Sequence, residues 1–328
     1  MADLCDESIV VFGRDHLRDR ADRLCNFAHT LESPVRRRSR ATEKVWRTLE
    51  QIGIRGIAVD CDTVTVAAGE NWDHFVAQMV EARRVGIECL SGIPGLVGAT
   101  PMQNVGAYGQ DVSETVILVR ALDTCNGRIR TFENRECRFG YRDSMFRSDA
   151  PGRYVILSVA YRLRPRGAAT VRYADVEKDL AARGIAKPSL IDVRASVIAI
   201  RRSKSMVLDS ADANRRSCGS FFTNPIIPGA ELAAVESRAG DRTMPRWALP
   251  TGQVKLSAAW LIERAGFTRG CAEGPVGLST RHALAIVAHD GARAGDVVAF
   301  ARRVQSAVVD RFGVRLTQEP VFWGMPAL

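Results

Sequence analysis

The sequence predicts an α+β protein of two or three lobes, and three observations carry that expectation. The 328 residues exceed what one hydrophobic core usually serves. Residues 63–163 hold short strand-like runs around one amphipathic helical stretch, and from about residue 189 the apolar period lengthens to that of helices. Hydrophobic residues at 46% and charged residues at 25% sit near the globular average, which argues against disorder.

The first 50 residues hold no clear apolar period, are broken by "SPVRRRSRATEK" and receive no fold. "TVTVAA" (63–68) alternates like a strand, and "NWDHFVAQMVEARRVG" then sets Trp72, Phe75, Val76, Met79 and Val80 on one helical stripe ending at Gly86. In "TVILVRALDTCNGRIRTF" two apolar runs flank Asn126-Gly127, a hairpin signal, and "YVILSVAYRL" (154–163) reads as a further strand. Ser189 with Asp192 resembles a capping box before a helical face of Val193, Val197 and Ile200. "LSAAWLIERAG" (256–266) and "DVVAFARRVQSAVVDRFG" (296–313) are helices stopped by glycine, with the strand "HALAIVAH" between them, so the last third reads as a separate α+β lobe.

A formal charge of +9, with Arg36, Arg37, Arg38 and Arg40 in one run, fits an anionic partner or a solvated basic face. No helix-turn-helix, zinc pattern or basic-aromatic interleaving favours nucleic acid. Eight cysteines without a CxxC, and without histidine at metal spacing, read as mostly buried reduced thiols, with no metal expected. No leader pattern and no apolar run of about 18 residues is visible, so a cytoplasmic protein without a membrane partner is expected.

"GIPGLVGATPMQNVGAYG" (92–109) is the most informative stretch, with Gly92, Gly95, Gly98, Gly106 and Gly109 and no charged residue before Asp111. Glycine permits positive φ and close approach of backbone N–H groups, so such a loop can bind a pyrophosphate without lysine. It matches neither GxGxxG nor the P-loop, and from spacing alone it reads equally as an irregular loop or a cofactor cradle.

The sequence resembles the UDP-N-acetylenolpyruvoylglucosamine reductase family through separated blocks in family order. They are "AAGENWD" (67–73), the glycine-rich stretch, "FGYRDSMFR" (139–147), "RYADV" (172–176), "RRSKSMVLD" (201–209), "CGSFFTNP" (218–225), "KLSAAWLIERAGF" (255–267) and "EPVFWG" (319–324). The resemblance implies an FAD-binding fold of the vanillyl-alcohol-oxidase type plus a C-terminal α+β substrate-binding domain. The expected boundaries are 1–66 for an N-terminal FAD-binding lobe, 67–209 for the second FAD-binding lobe and 210–328 for the substrate domain, whose last strand returns to the active site. The implied activity is NADPH-dependent, FAD-mediated reduction of UDP-N-acetylglucosamine enolpyruvate to UDP-N-acetylmuramate in peptidoglycan precursor synthesis, by a monomer.

By the same resemblance, Gly92, Ile93, Pro94, Gly95, Gly98, Asn104, Gly106 and Gly109 would hold FAD. Ser220 matches the family's proton donor, and Arg142 and Glu319 match the pair that holds the substrate carboxylate; a guanidinium fork suits that task. Tyr173, Lys204 and Asn224 match residues gripping the diphosphate and uracil end, and Tyr141 is a candidate for lining the pocket. By residue type alone Ser220 reads as a turn serine, and Arg142 and Glu319 as surface charges. No histidine falls in a matched position, and no GxSxG elbow is present.

One departure stands out. The family's second pyrophosphate loop, Gly-Gly-Gly-Ser-Asn, has no counterpart in residues 1–50, whose sole glycine is Gly13. Two readings follow: a working reductase with an altered N-terminus, or a degenerate member that binds a UDP-sugar, binds flavin poorly and is not catalytic.

Overall fold

The structure, a computed structural model, describes residues 54–241, 243–322 and 328. The basic run and the unassigned first 50 residues lie outside them. The described chain divides into two compact units, the first ending at Arg202 and the second beginning at Ser203.

The first unit is built on an antiparallel sheet of β1 (Ile57–Asp60), β2 (Thr63–Ala67), β3 (Val116–Asp123), β4 (Arg128–Glu133) and β5 (Tyr154–Arg162), in the order β1-β2-β5-β3-β4. The alternation of β2 puts Val64 and Val66 in the core at 0% exposure, with Val119 of β3 and Val159 of β5. Helix α1 (Trp72–Glu81) follows β2. The Asn71 side chain caps it by accepting the His74 N–H at 2.9 Å. The expected stripe, Trp72, Phe75, Val76, Met79 and Val80, is buried, and Trp72 and Phe75 pack their rings against Tyr161 of β5.

α1 stops at Glu81, short of Gly86, because its apolar stripe ends at Val80 and Arg83 turns to φ +55°. Arg84–Val85 then leaves as a short strand beside Arg164–Pro165, with Arg84 donating to the carbonyls of Cys61 and Leu163. The Asn126-Gly127 signal does mark a hairpin, β3 to β4, through a four-residue loop. Buried Asp123 organises that loop by accepting the Cys125 N–H, the Asn126 amide and a two-pronged contact from Arg153 at 3.1 and 2.7 Å. Helix α2 (Ala174–Ala182) and helix α3 (Leu190–Ser203) complete the unit. Ser189 and Asp192 form the expected reciprocal cap, and Val193 and Val197 join Cys89, Val176 and Leu180 in a small satellite core.

The second unit holds two small antiparallel sheets. One runs β6 (Ser217–Ser220), then β12 (Ala285–Ala288), β11 (Val276–Leu278) and β10 (Ala272–Glu273); the other runs β7 (Ile226–Pro228), β9 (Gln253–Leu256) and β8 (Arg246–Ala248). Helices α4 (Leu232–Ala239), α5 (Ala258–Arg264) and α6 (Ala294–Phe312) cover a core that includes Phe222, Leu261, Phe300, Val304 and Phe312. Ser257 caps α5, and Gly313 closes α6 at φ +71°, a conformation that favours glycine.

Cysteine burial differs from the expectation. None of the six described cysteines forms a disulfide, but Cys61, Cys125 and Cys218 are exposed, because they sit in turns or on a strand edge. No helix among the described residues is long and apolar enough to cross a membrane.

Trp72 ties this architecture to the glycine-rich stretch, since its ring fills the core at 1% exposure and its Nε1 donates to the Leu90 carbonyl at 3.0 Å. Trp72→Ala is expected to lower stability by about 3–5 kcal/mol, read as a shift in the urea midpoint.

Candidate functional site

In the first unit the glycine-rich stretch is fastened mainly through its backbone to the connection between β2 and α1 and to the first residue of α1. The Val97 N–H donates to Glu70 O at 2.9 Å and the Gly98 N–H to Ala68 O at 2.8 Å, while Gly95 O accepts the Trp72 N–H. A Cβ at Gly98 would lie 2.7 Å from Ala68 Cβ and 3.2 Å from Ala68 O, so this approach needs glycine. Gly92 and Gly95 take φ of +71° and +113°.

Between these anchors the backbone is left with spare donors. Among the described residues, no protein acceptor takes the N–H of Ile93, Gly95 or Leu96, and Pro94 has none to offer. All three residues are half-buried. A short row of unspent N–H groups in a positive-φ turn is a concavity for an anion. The residues of this turn therefore fit the pyrophosphate of FAD.

Buried charges set the start of the stretch. Glu88, fully buried, accepts the N–H groups of Gly86 at 2.7 Å and Thr170 at 2.8 Å. Asp73 on α1 accepts the Gly92 N–H at 2.6 Å and a bidentate contact from Arg194 of α3 at 2.6 and 3.0 Å. Burial pushes the Asp73 carboxyl up, but the bonds from Arg194 and Gly92 and the charges of Arg194 and Arg201 outweigh it, holding the group below its ordinary value.

The end of the stretch carries the other expected residues of this unit. Asn104, at φ +48°, spends its amide on the protein, donating to Gly140 O at 2.8 Å and accepting the Ser113 N–H at 3.1 Å. Arg142 lies across Gly106: it donates to Gly106 O, approaches Asp111 at 3.5 Å, and sits 5.2 Å from the Tyr141 ring centroid. A Cβ at Gly106 would come within 2.8 Å of the Arg142 guanidinium. Tyr108 meets Tyr173, the exposed residue that begins α2, edge to face at 5.3 Å, and Arg172 donates to Gly109 O. The structure thus gathers Gly106, Tyr141 and Arg142, and next to them Gly109 and Tyr173, at one end of one loop.

The second unit lays Glu319 beside the strand of Ser220 and sets Met206, two residues after Lys204, against Gly219. β6 pairs with β12 through a register shift between Ser217 and Ser220, a bulge with Gly219 at φ +76° that re-aims the strand end carrying Ser220. The Glu319 N–H donates to Phe221 O at 2.8 Å and Phe222 bridges Gln318, so the late segment docks beside Ser220. Lys204 immediately precedes Ser205, at φ +55°; Met206 packs 3.9 Å from where a Gly219 Cβ would sit. Asn214 bonds Ser205, Asp212 and Thr280 and holds this turn in place. Asn224 accepts the Ala258 N–H at 3.0 Å through its carbonyl oxygen, and among the described residues no protein acceptor takes its amide donors.

Sequence reasoning missed Asp73, Asp111, Arg194 and Arg201. Asp73 and Arg201 were inside the matched blocks, and the available signal was a charge placed among the apolar positions of a helix.

Residues 211–323 match the family model for the C-terminal domain of UDP-N-acetylenolpyruvoylglucosamine reductase, and residues 48–133 match that for an FAD binding domain. The chain is 47% identical over 268 residues to the UDP-N-acetylenolpyruvoylglucosamine reductase of Thermobifida fusca, covering 80% of this chain and 75% of that one. To the enzyme of Mycobacterium tuberculosis it is 43% identical over 287 residues, 84% and 77% of the two chains. The crystal structure of the Thermus caldophilus enzyme shares the fold, with a TM-score of 0.53 at 24% identity over 81% of this chain and 74% of that one.

His282 gives the second unit a pH signature. Burial first, then the charges of Lys204 and Arg269, push its pKa from 6.5 down to about 4, so the folded protein holds it neutral. The unfolded chain binds the extra proton between those values, so this contribution is present above pH 6.5 and lost as pH falls towards 4. Urea midpoints at pH 7.5 and 4.5 are expected to fall less in His282→Gln than in the unsubstituted protein.

Proposed function

Because the chain belongs to the UDP-N-acetylenolpyruvoylglucosamine reductase family, we propose that it reduces the enolpyruvyl ether of UDP-N-acetylglucosamine to UDP-N-acetylmuramate. It is an FAD-dependent oxidoreductase with NADPH as reductant, acting in peptidoglycan precursor synthesis. On the structure, the observation that supports this reading is the row of spare N–H groups at Ile93, Gly95 and Leu96, which suits a cofactor pyrophosphate.

The hydride chemistry is supplied by FAD when it is bound. The protein's own residues handle binding, charge and one proton. Gly92, Ile93, Pro94, Gly95 and Gly98 would shape the cofactor contact, with Asn104, Gly106 and Gly109 fixing the far end of the loop. Hydride addition at the terminal carbon of the enolpyruvyl group leaves a carbanion at the adjacent carbon, conjugated with the carboxylate. Arg142 and Glu319 would hold that carboxylate and its growing charge. Ser220 Oγ would give its proton to the carbanion, a task for which the bulge and Gly219 leave room. Lys204, Tyr173 and Asn224 would grip the nucleotide end, the spare amide donors of Asn224 suiting phosphate or carbonyl oxygens. Tyr141 would line the pocket beside Arg142.

The assignment of Ser220 separates the two half-reactions. Ser220→Ala is expected to leave flavin reduction by NADPH within about twofold and to slow flavin reoxidation by substrate by about 10²–10⁴, followed by stopped-flow flavin absorbance. Equal slowing of both half-reactions overturns the role. Protein that stays colourless after FAD loading overturns the reductase reading in favour of a UDP-sugar binder.

A further inference from the structure

Arg201, in the last turn of α3, reaches back across 109 positions of sequence to the start of the glycine-rich stretch, where its Nε donates to Gly92 O at 3.2 Å. A Cβ at Gly92 would lie 3.3 Å from that Nε, so the side chain lies directly against the glycine. The guanidinium also bonds Tyr108, and it is buried enough that desolvation, the largest influence on it, lowers its pKa. One side chain therefore holds the stretch at both ends.

The Gly92 peptide is consequently gripped on both faces. Its N–H goes to Asp73 and its carbonyl receives Arg201, while Arg194 braces Asp73. The next residues, Ile93 to Leu96, carry the spare N–H row, whose direction is set by the orientation of the Gly92 peptide. At the other end Tyr108, held by Arg201, stacks edge-on against Tyr173.

The geometry points to Arg201 as a positioning residue that locks the Gly92–Tyr108 loop into its anion-binding shape and, through Tyr108, sets the place of Tyr173. This rests on the FAD reading of the loop. A planar fork serves two acceptors in fixed directions, whereas an ammonium at the end of a flexible stem serves them without that registry.

The test compares Arg201→Met, Arg201→Lys and the unsubstituted full-length protein by FAD titration, FAD-free thermal unfolding and amide exchange across residues 92–109. Arg201→Met is expected to weaken FAD by at least about tenfold, the loss of one charged hydrogen bond. It should also speed amide exchange in the loop of the FAD-free protein, and Arg201→Lys should recover part of both effects. Should Arg201→Met fail to fold, Arg201→Lys carries the same comparison. In the steady state, KM for the UDP-sugar should rise more than kcat falls, as expected if Tyr173 is displaced while the proton donor is untouched. Unchanged loop exchange, or FAD affinity equal to that of the unsubstituted protein, overturns the inference while leaving the reductase reading intact. Failure of the unsubstituted protein to bind FAD overturns that reading instead, and loop exchange still decides the role of Arg201.

Discussion

The Gly92 peptide is the point on which the first unit turns. Its N–H and its carbonyl are both committed, to a carboxylate on α1 and a guanidinium on α3, and those helices are fixed by separate apolar surfaces, Trp72 and Phe75 on one and Val193 and Val197 on the other. Hydrophobic burial thereby positions charges, and the charges position a backbone. Asp73 keeps its charge despite partial burial because the cations of α3 surround it. Removing one member of such a cluster leaves the others desolvated and under-bonded, which is why it behaves as one unit.

The second unit reaches a comparable end by different means. The strand leading to Ser220 is bent by a bulge in β6 rather than held by ion pairs, and the segment carrying Glu319 is laid beside it by main-chain bonds at Phe221 and Thr223. Asn214, with both ends of its amide in use, ties the Lys204–Ser205 turn to Thr280 next to His282. A histidine kept neutral there adds no second positive charge beside Lys204 and Arg269, whose repulsion, with burial, is what holds it neutral.

Much of the fold was legible because its elements follow local rules. The stripe of α1, the reciprocal cap of Ser189 with Asp192, and the glycine that ends α6 are all readable from spacing, and they form as read. What was not legible is non-local. The short strand Arg84–Val85 that follows α1 pairs with Arg164–Pro165 and is held by Arg84 donating to the carbonyls of Cys61 and Leu163, and no period announces a contact with Leu163. For the candidate site, motif matching proposes Ser220, Arg142 and Tyr173 but passes over Arg201 and Asp73, since a charge that serves a distant backbone looks in one dimension like any solvated charge. Asn104 illustrates the converse: its matched position suggests cofactor contact, while its amide is spent bridging Gly140 and Ser113.

The spare donors at Ile93, Gly95 and Leu96 belong to the main chain, and that has a bearing on drug resistance. A side-chain contact can be deleted by any of many single substitutions, whereas a backbone N–H survives every replacement except proline. Proline locks φ near −65°, and at Gly95 this conflicts with the observed +113°. An inhibitor that places an anionic group on this row would press against a feature that point mutation can scarcely remove, leaving the loop's supports, Asp73, Arg194 and Arg201, as the indirect routes of escape.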